Sequence, residues 1–296
     1  MKFAFIAVIG RPSSGKSTFI NTVCGEKVSI VSNVPQTTRN KIRGIYNSSR
    51  GQLVFIDTPG FNLSEKKFNQ RLNTTIQNVL KEVDILLYLV DATRMFGQEE
   101  NELLLQFENY SGHKIIVINK IDIQNNILKS HRKILRERFK DIDIFEISSL
   151  TGIGIDRVID KLFQISPEGE RQYPDDFYTD QEPVFRISEI IREKVILETR
   201  EEIPHSIYID ILDTEFLNAT GEGISDTMWV RALVIVERET QKGIVIGHRG
   251  SKIKKIRIAA EKELSALFPY RIKLDLRVKV RKNWRKNDHL LNTLLR

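Results

Sequence analysis

The chain of 296 residues carries 46 Lys and Arg against 39 Asp and Glu, a formal net charge of +7. It is long enough for two domains with separate cores, and its 29% charged and 41% apolar residues exclude a disordered or fibrous chain. The charge is unevenly placed: residues 240–296 hold 16 Lys and Arg against 4 Asp and Glu, net +12, which leaves residues 1–239 at net −5. A basic last fifth on a near-neutral body points to a polyanionic partner for that segment. The single cysteine, Cys24, excludes an intrachain disulfide and fits a reducing compartment as an inert buried thiol. No apolar run approaches the ~20 residues of a membrane-spanning helix.

Residues 3–9 form an apolar run that reads as a buried strand. Its start imitates a secretion signal, but it feeds directly into Gly10-Arg11-Pro12-Ser13-Ser14-Gly15-Lys16-Ser17, followed by Thr18 and a helical pattern over 16–23. Strand, glycine-rich loop and helix in that order make a phosphate-binding loop, whose backbone N–H groups surround a β-phosphate. Lys16 then neutralises β- and γ-oxygens, and the Ser17 hydroxyl ligates Mg²⁺. Residues 41–46 and 52–56, joined by a short polar turn, predict a hairpin and hence one antiparallel edge strand. Further apolar runs at 53–56, 85–90, 115–118 and 142–147 alternate with helical patterns at 67–80, 98–109, 127–139 and 154–165. That alternation predicts an α/β domain with a mainly parallel sheet between helices.

The remaining polar motifs fall at predicted strand ends, where an open α/β sheet binds ligands. Asp57-Thr58-Pro59-Gly60 places Asp57 to reach Mg²⁺ through water and the Gly60 N–H to meet a γ-phosphate. In Asn119-Lys120-Ile121-Asp122 the Asp122 carboxylate suits the N1–H and 2-amino group of guanine, a pattern adenine does not offer. Ser148-Ser149-Leu150 offers a backbone N–H for the guanine O6. Together these form a GTPase signature set, so the nucleotide is expected to be GTP or GDP with Mg²⁺. The segment 32–40, with Gln36, Thr37, Thr38, Arg39 and Asn40, has the place of a switch that closes on the γ-phosphate. Thr38 is favoured as the Mg²⁺-linked threonine over Thr37, giving Ser17, Thr38 and Asp57 as the metal set and Lys16, Thr38 and Gly60 as the catalytic set. In many small GTPases a Gln follows the glycine of Asp-x-x-Gly and orients water. Phe61 stands there instead, so slow intrinsic hydrolysis is expected unless another group completes the site. Arg39 is one candidate, though a structural role fits it better.

A run of prolines and acidic residues at 166–183 interrupts the periodicity, giving a domain over 1–167, a linker over 168–183 and a second domain over 184–296. The second reads as helix (184–199), strand (206–212), strand (229–237), short helix (241–246), Gly247-His248-Arg249-Gly250, helix (251–267) and strand (271–281), closing on a C-terminal stretch over 284–295. The helix after the glycines carries an apolar stripe at Ile253, Ile256, Ala260, Leu264 and Leu267. The last strand alternates strictly, with Arg271, Lys273, Arg277, Lys279 and Arg281 on one face. This order resembles a type II KH domain, in which a Gly-x-x-Gly loop approaches the backbone of about four single-stranded nucleotides. On that likeness Gly247, His248, Arg249, Gly250, Lys252 and Lys255 contact RNA, beside an apolar groove at Ile244 and Ile246. His113, His131, His205 and His289 show no metal-site spacing.

One GTPase motif set followed by this glycine loop resembles the bacterial Era GTPases over essentially the whole length. Pro35-Gln36-Thr37-Thr38-Arg39, Tyr173-Pro174, Thr179-Asp180 and Thr199-Arg200-Glu201-Glu202-Ile203-Pro204 add to the likeness. The resemblance implies a GTP-controlled factor, monomeric and cytoplasmic, that binds the 3′ end of 16S rRNA and assists maturation of the small ribosomal subunit, with peripheral contact with the cytoplasmic membrane. The competing reading is a membrane-associated signalling GTPase whose basic segment binds anionic lipid. An ATP-using enzyme conflicts with Asn119 and Asp122. Ser13 stands where the family's loop usually has an Asn that helps hold an activating K⁺, which leaves potassium stimulation open.

Overall fold

The fold is seen in a computed structural model that describes residues 1–35, 37–60, 67–124, 127–217 and 227–294. It separates into two compact units, Met1–Asp180 and Gln181–Leu291. In chain order the first unit contains β1 (Lys2–Ile9), α1 (Lys16–Cys24), β2 (Ile42–Ser48), β3 (Gly51–Asp57), α2 (Lys67–Leu80), β4 (Ile85–Asp91), α3 (Gln98–Asn109), β5 (His113–Asn119), α4 (Ile127–Arg138), β6 (Ile144–Glu146) and α5 (Ile155–Ile165).

These strands form one sheet in the order β2-β3-β1-β4-β5-β6. All neighbours run parallel except β2 and β3, the hairpin expected from the polar turn. The central strands are apolar throughout because both faces are covered. Ile9, Ile56, Tyr88 and Ile118 pack with Ile76 and Val79 of α2, Leu103 and Phe107 of α3 and Leu135 of α4. On β3 the neighbouring Phe55 faces Phe19 of α1, ring centroids 5.8 Å apart, so α1 covers the opposite face. Cys24, at the end of α1, has its thiol pushed up to about 12 by burial. The strand expected over 142–147 is only three residues long, since it pairs with β5 alone and only over Ile144–Glu146.

Residues 167–180 are bound to this unit. Buried Gln52 donates through Nε2 to Tyr173 O at 2.9 Å and accepts at Oε1 from the N–H groups of Gln172 (3.0 Å) and Tyr173 (3.1 Å). Ile45 N–H donates to Tyr178 O at 2.9 Å, Thr179 Oγ1 to Arg43 O at 2.8 Å, and Arg43 pairs with Asp180 at 2.5 Å. The prolines and carboxylates mark the end of regular structure, while these backbone partners hold the segment along β2.

The second unit contains α6 (Pro183–Glu198), β7 (Tyr208–Phe216), β8 (Thr227–Val236), α7 (Glu239–Ile246), α8 (Ser251–Leu267) and β9 (Arg271–Val280), and the chain then forms a terminal helix α9 (Asp288–Leu294). Its sheet runs β7-β8-β9, antiparallel then parallel. β7 extends to Phe216 through a bulge between Ile211 and Asp213. Its last residues, Leu212 to Phe216, are largely exposed and include Asp213, Thr214 and Glu215, because β7 is an edge strand, so hydrophobic alternation ends before the strand does. Among the described residues no helix is long and apolar enough to cross a membrane.

Candidate functional site

Gly10 to Ser17 turns from the end of β1 into α1. Each carbonyl from Gly10 to Ser14 accepts a hydrogen bond from a side chain. Lys16 Nζ donates to Gly10 O and Arg11 O, both at 3.1 Å, and Arg94 Nη1 to Pro12 O at 3.1 Å. Lys120 Nζ donates to Ser13 O at 2.7 Å, and Asn119 Nδ2 to Ser14 O at 2.8 Å. With the carbonyls held this way, the N–H groups of Ser13, Gly15, Lys16 and Ser17 have no acceptor among the described residues. They form an anion cradle at the positive end of α1. Gly15 has φ +99°, and a Cβ there would lie 2.3 Å from Asn119 Nδ2, so any side chain both strains the loop and displaces Asn119.

The adjoining cleft, about 350 Å³, is lined by Pro12, Ser13, Gly15, Lys16, Ser17, Thr18, Thr37, Thr38, Gly60 and Lys120, and by Ile30, Val31, Ser32, Asn33 and Val34. Burial pushes the Lys16 ammonium down to about 8, against the pull of Asp57 and Glu100. A bound phosphate would restore its charge. Ser17 Oγ donates to Asp57 Oδ2 at 2.7 Å, Thr38 Oγ1 to the same oxygen at 3.2 Å, and the two hydroxyls lie 3.0 Å apart. Burial raises the Asp57 carboxyl, with Lys16 and the Ser17, Ser29 and Thr38 hydroxyls opposing the shift. Asp57 Oδ1 and the Ser29 hydroxyl are both buried without a well-formed hydrogen bond. Among the described residues no group of three or more His, Cys, Asp or Glu gathers as a metal site. The cation position therefore rests on two hydroxyls and one carboxylate with a spare oxygen, hard donors that fit Mg²⁺. Thr37 is turned elsewhere: it shares a hydrogen bond with Ser32 Oγ at 2.6 Å and donates to Val34 O at 2.7 Å.

Other expected residues take different places. The Arg11 guanidinium pairs with Glu99 (3.2 Å) and Glu100 (3.4 Å) of α3, so only its backbone belongs to the cradle. Arg39 and Asn40 are buried and do not line the cleft. Thr58 Oγ1 donates to Val8 O at 2.8 Å, fixing the turn through Pro59 to Gly60, and a Cβ on Gly60 would lie 2.8 Å from Pro12 Cα. Gln36 and Phe61 lie outside the described residues. Asn119 joins two loops: besides donating to Ser14 O, its Oδ1 accepts from Ser149 N–H at 2.9 Å. Ser148 N–H donates to Ile153 O at 3.0 Å, which leaves the N–H of Leu150, 78% exposed, as the available donor of that trio. Asp122 is exposed and has no hydrogen-bond or ionic partner among the described residues. Sequence reasoning missed Arg94 and also Asn21, whose side chain holds Val28 and Ser29, just before the Ile30–Val34 wall, through bonds of 2.8 to 3.0 Å. Nothing local marks either residue.

In the second unit Gly247 ends α7 with φ +73°, Arg249 and Gly250 are also left-handed, and α8 starts at Ser251. A Cβ on Gly247 would lie 2.7 Å from Lys252 Cβ, so the loop closes tightly over the first turn of α8. His248 and Arg249 are exposed. Lys255 pairs with Glu198 of α6 at 2.9 Å, a surface pair a polyanion can displace. Ile244, 46% exposed, lies on α7 just before the loop.

Two family models match the chain: 50S ribosome-binding GTPase over residues 5–120 and KH domain over residues 202–285. GTPase Era of Treponema denticola is 47% identical over 297 residues, covering 99% of each chain. GTPase Era of Borreliella burgdorferi is 43% identical over the full length of both. Among solved structures, a variant of Aquifex aeolicus Era bound to GDP and AlF4⁻ superposes with a TM-score of 0.91 at 30% identity, covering 99% of this chain and 98% of that one. Era in complex with MgGDPNP and nucleotides 1506–1542 of 16S ribosomal RNA gives 0.90 at 30% identity, with the same coverage. An anion cradle with a hydroxyl–carboxylate cation site in one unit, a Gly-x-x-Gly loop in the next, and full-length identity to these proteins lead to one conclusion: the chain belongs to the Era family of GTPases.

Proposed function

We propose that the protein hydrolyses GTP and uses the bound nucleotide to control attachment to the 3′ end of 16S rRNA during maturation of the small ribosomal subunit. The observation that carries the nucleotide half is the meeting of Ser17, Thr38 and Asp57 beside an anion cradle whose carbonyls are all engaged. Lys16 and the inward N–H groups bind the β- and γ-phosphates, and Asp122 with the Leu150 N–H reads guanine. Mg²⁺, held by Ser17 and Thr38 with Asp57, would supply charge neutralisation at the phosphate oxygens. Because Thr38 belongs to the segment 32–40, γ-phosphate in the cleft orders that segment, and its loss releases it. Hydrolysis is slow in isolation, with Phe61 where a water-orienting Gln stands in other GTPases.

The RNA half rests on the Gly247–Gly250 loop, the net charge of +12 over residues 240–296 and the relative solved with a 16S rRNA fragment. That relative favours the small subunit, although one matching family is named for the 50S particle. The test is binding of a 16S 3′-end oligonucleotide at moderate salt by the native protein, Gly247→Asp and Arg249→Glu. Unchanged affinity in both variants would remove the RNA reading.

A further inference from the structure

The sheet of the second unit has a core face and an open face. On β9 the residues facing the core, such as Ile272 and Leu274, are buried, while Arg271, Lys273, Arg277 and Lys279 are exposed. They form two pairs, Arg271 with Lys273 and Arg277 with Lys279, each two residues or about 6.6 Å apart, with Asp275 between the pairs on the same face. Across the ladder Trp229 lies opposite Lys273, and Arg231 opposite Asp275. Trp229 is only partly buried, and the Arg231 guanidinium lies over its ring at 4.7 Å from the centroid. Asp275 engages Arg277 at 3.0 Å and Arg231 at 3.4 Å, whereas Arg271, Lys273 and Lys279 have no ionic partner among the described residues.

We propose that this open face of β8 and β9 is a second RNA-binding surface, separate from the Gly-x-x-Gly loop, that takes single-stranded RNA with a base stacked on Trp229 and phosphates along Arg271, Lys273 and Lys279. The proposal rests on the reading of this protein as RNA-binding and extends it to a face that reading does not use. A stripe of unpaired cations alone is an ordinary solvated surface. The aromatic platform in the middle of the stripe, already carrying a guanidinium on its face, is what suits bases as well as phosphates. A strand held at the glycine loop over about four nucleotides therefore gains affinity from added length.

The chain has two tryptophans, and Trp284 is buried, 1% exposed, with its Nε1–H donating to Ser206 O at 3.0 Å. Fluorescence quenching by RNA thus reports on Trp229. The full-length protein is titrated with single-stranded RNA of about four and about sixteen nucleotides from the 16S 3′ end, together with Trp229→Leu, Lys273→Ala/Lys279→Ala and Arg249→Glu variants. The longer RNA is expected to quench the native protein and bind Trp229→Leu roughly fivefold to a hundredfold more weakly, the worth of one stacked base. The lysine pair is expected to lower the salt slope by ~0.7 per lost phosphate contact, and neither change affects the short RNA. If Arg249→Glu weakens both RNAs while the Trp229 and lysine variants bind like the native protein, the open face is not an RNA surface. If no RNA binds the native protein, the RNA reading itself falls and this inference with it. Quenching by anionic vesicles but not by RNA would assign the face to lipid and overturn the proposal.

Discussion

Replacing Asn119 by Ala removes a side chain that joins the phosphate loop to the loop after β6. Its amide is 1% exposed and makes two bonds, to Ser14 O at 2.8 Å and from Ser149 N–H at 2.9 Å. The variant leaves a buried carbonyl and a buried N–H unpaired, each at about 1–3 kcal/mol, so the first unit loses about 2–6 kcal/mol. For a unit of this size that lowers the melting temperature by roughly 4–24 °C, without nucleotide present. Asp122→Ala, three residues along, has the opposite signature. Its carboxylate is exposed and without a partner among the described residues, so melting stays within about 0.5 kcal/mol of native. GTP affinity falls roughly 10²–10⁴-fold through loss of two charge-assisted bonds to guanine, while ATP affinity is unchanged. Differential scanning fluorimetry of the nucleotide-free proteins and competition with fluorescent GDP measure both quantities. An Asn119→Ala protein that melts with the native one yet loses guanine selectivity would refute the assignment of its amide to the loops.

Nucleotide binding at about pH 8 is expected to take up about half a proton, because Lys16, held near 8 by burial, regains its full charge beside phosphate; affinity therefore falls as pH rises above 8. Calorimetry in buffers of different ionisation enthalpy reads the uptake directly, and none at all would contradict it. Asp57→Asn should abolish the Mg²⁺ dependence of nucleotide affinity yet leave the nucleotide-free protein as stable as native at neutral pH, or more so. The sign follows from the raised carboxyl: the folded state binds its proton more tightly than the unfolded state, so the native residue loses stability as pH rises through that window. Gln52→Ala frees the backbone at Gln172 and Tyr173, and trypsin should then cleave after Arg171 severalfold faster, which mass spectrometry of a timed digest would show.

What the sequence disclosed follows from how far each contact reaches along the chain. The cradle was legible because its glycines, Lys16 and Ser17 fall within eight consecutive positions, and the mainly parallel sheet because its central apolar runs, such as β3 and β4, are buried on both faces. Arg94 reaches Pro12 and Gln52 reaches Tyr173 across 82 and 121 residues, and neither has a residue type or spacing that announces a loop partner. The Arg11 side chain, which turns to Glu99 and Glu100, was not legible for the complementary reason, since a position inside a phosphate motif says nothing of where a long side chain turns. Distant side chains thus hold the carbonyls of Pro12, Ser13 and Ser14, while the motif supplies the N–H side and, through Lys16, holds the carbonyls of Gly10 and Arg11. It follows that variants at Arg94 should weaken nucleotide binding through the loop's geometry while leaving guanine selectivity intact. A GTP-over-ATP preference that collapsed in Arg94→Ala would show that the two sides of the site are not separable in this way.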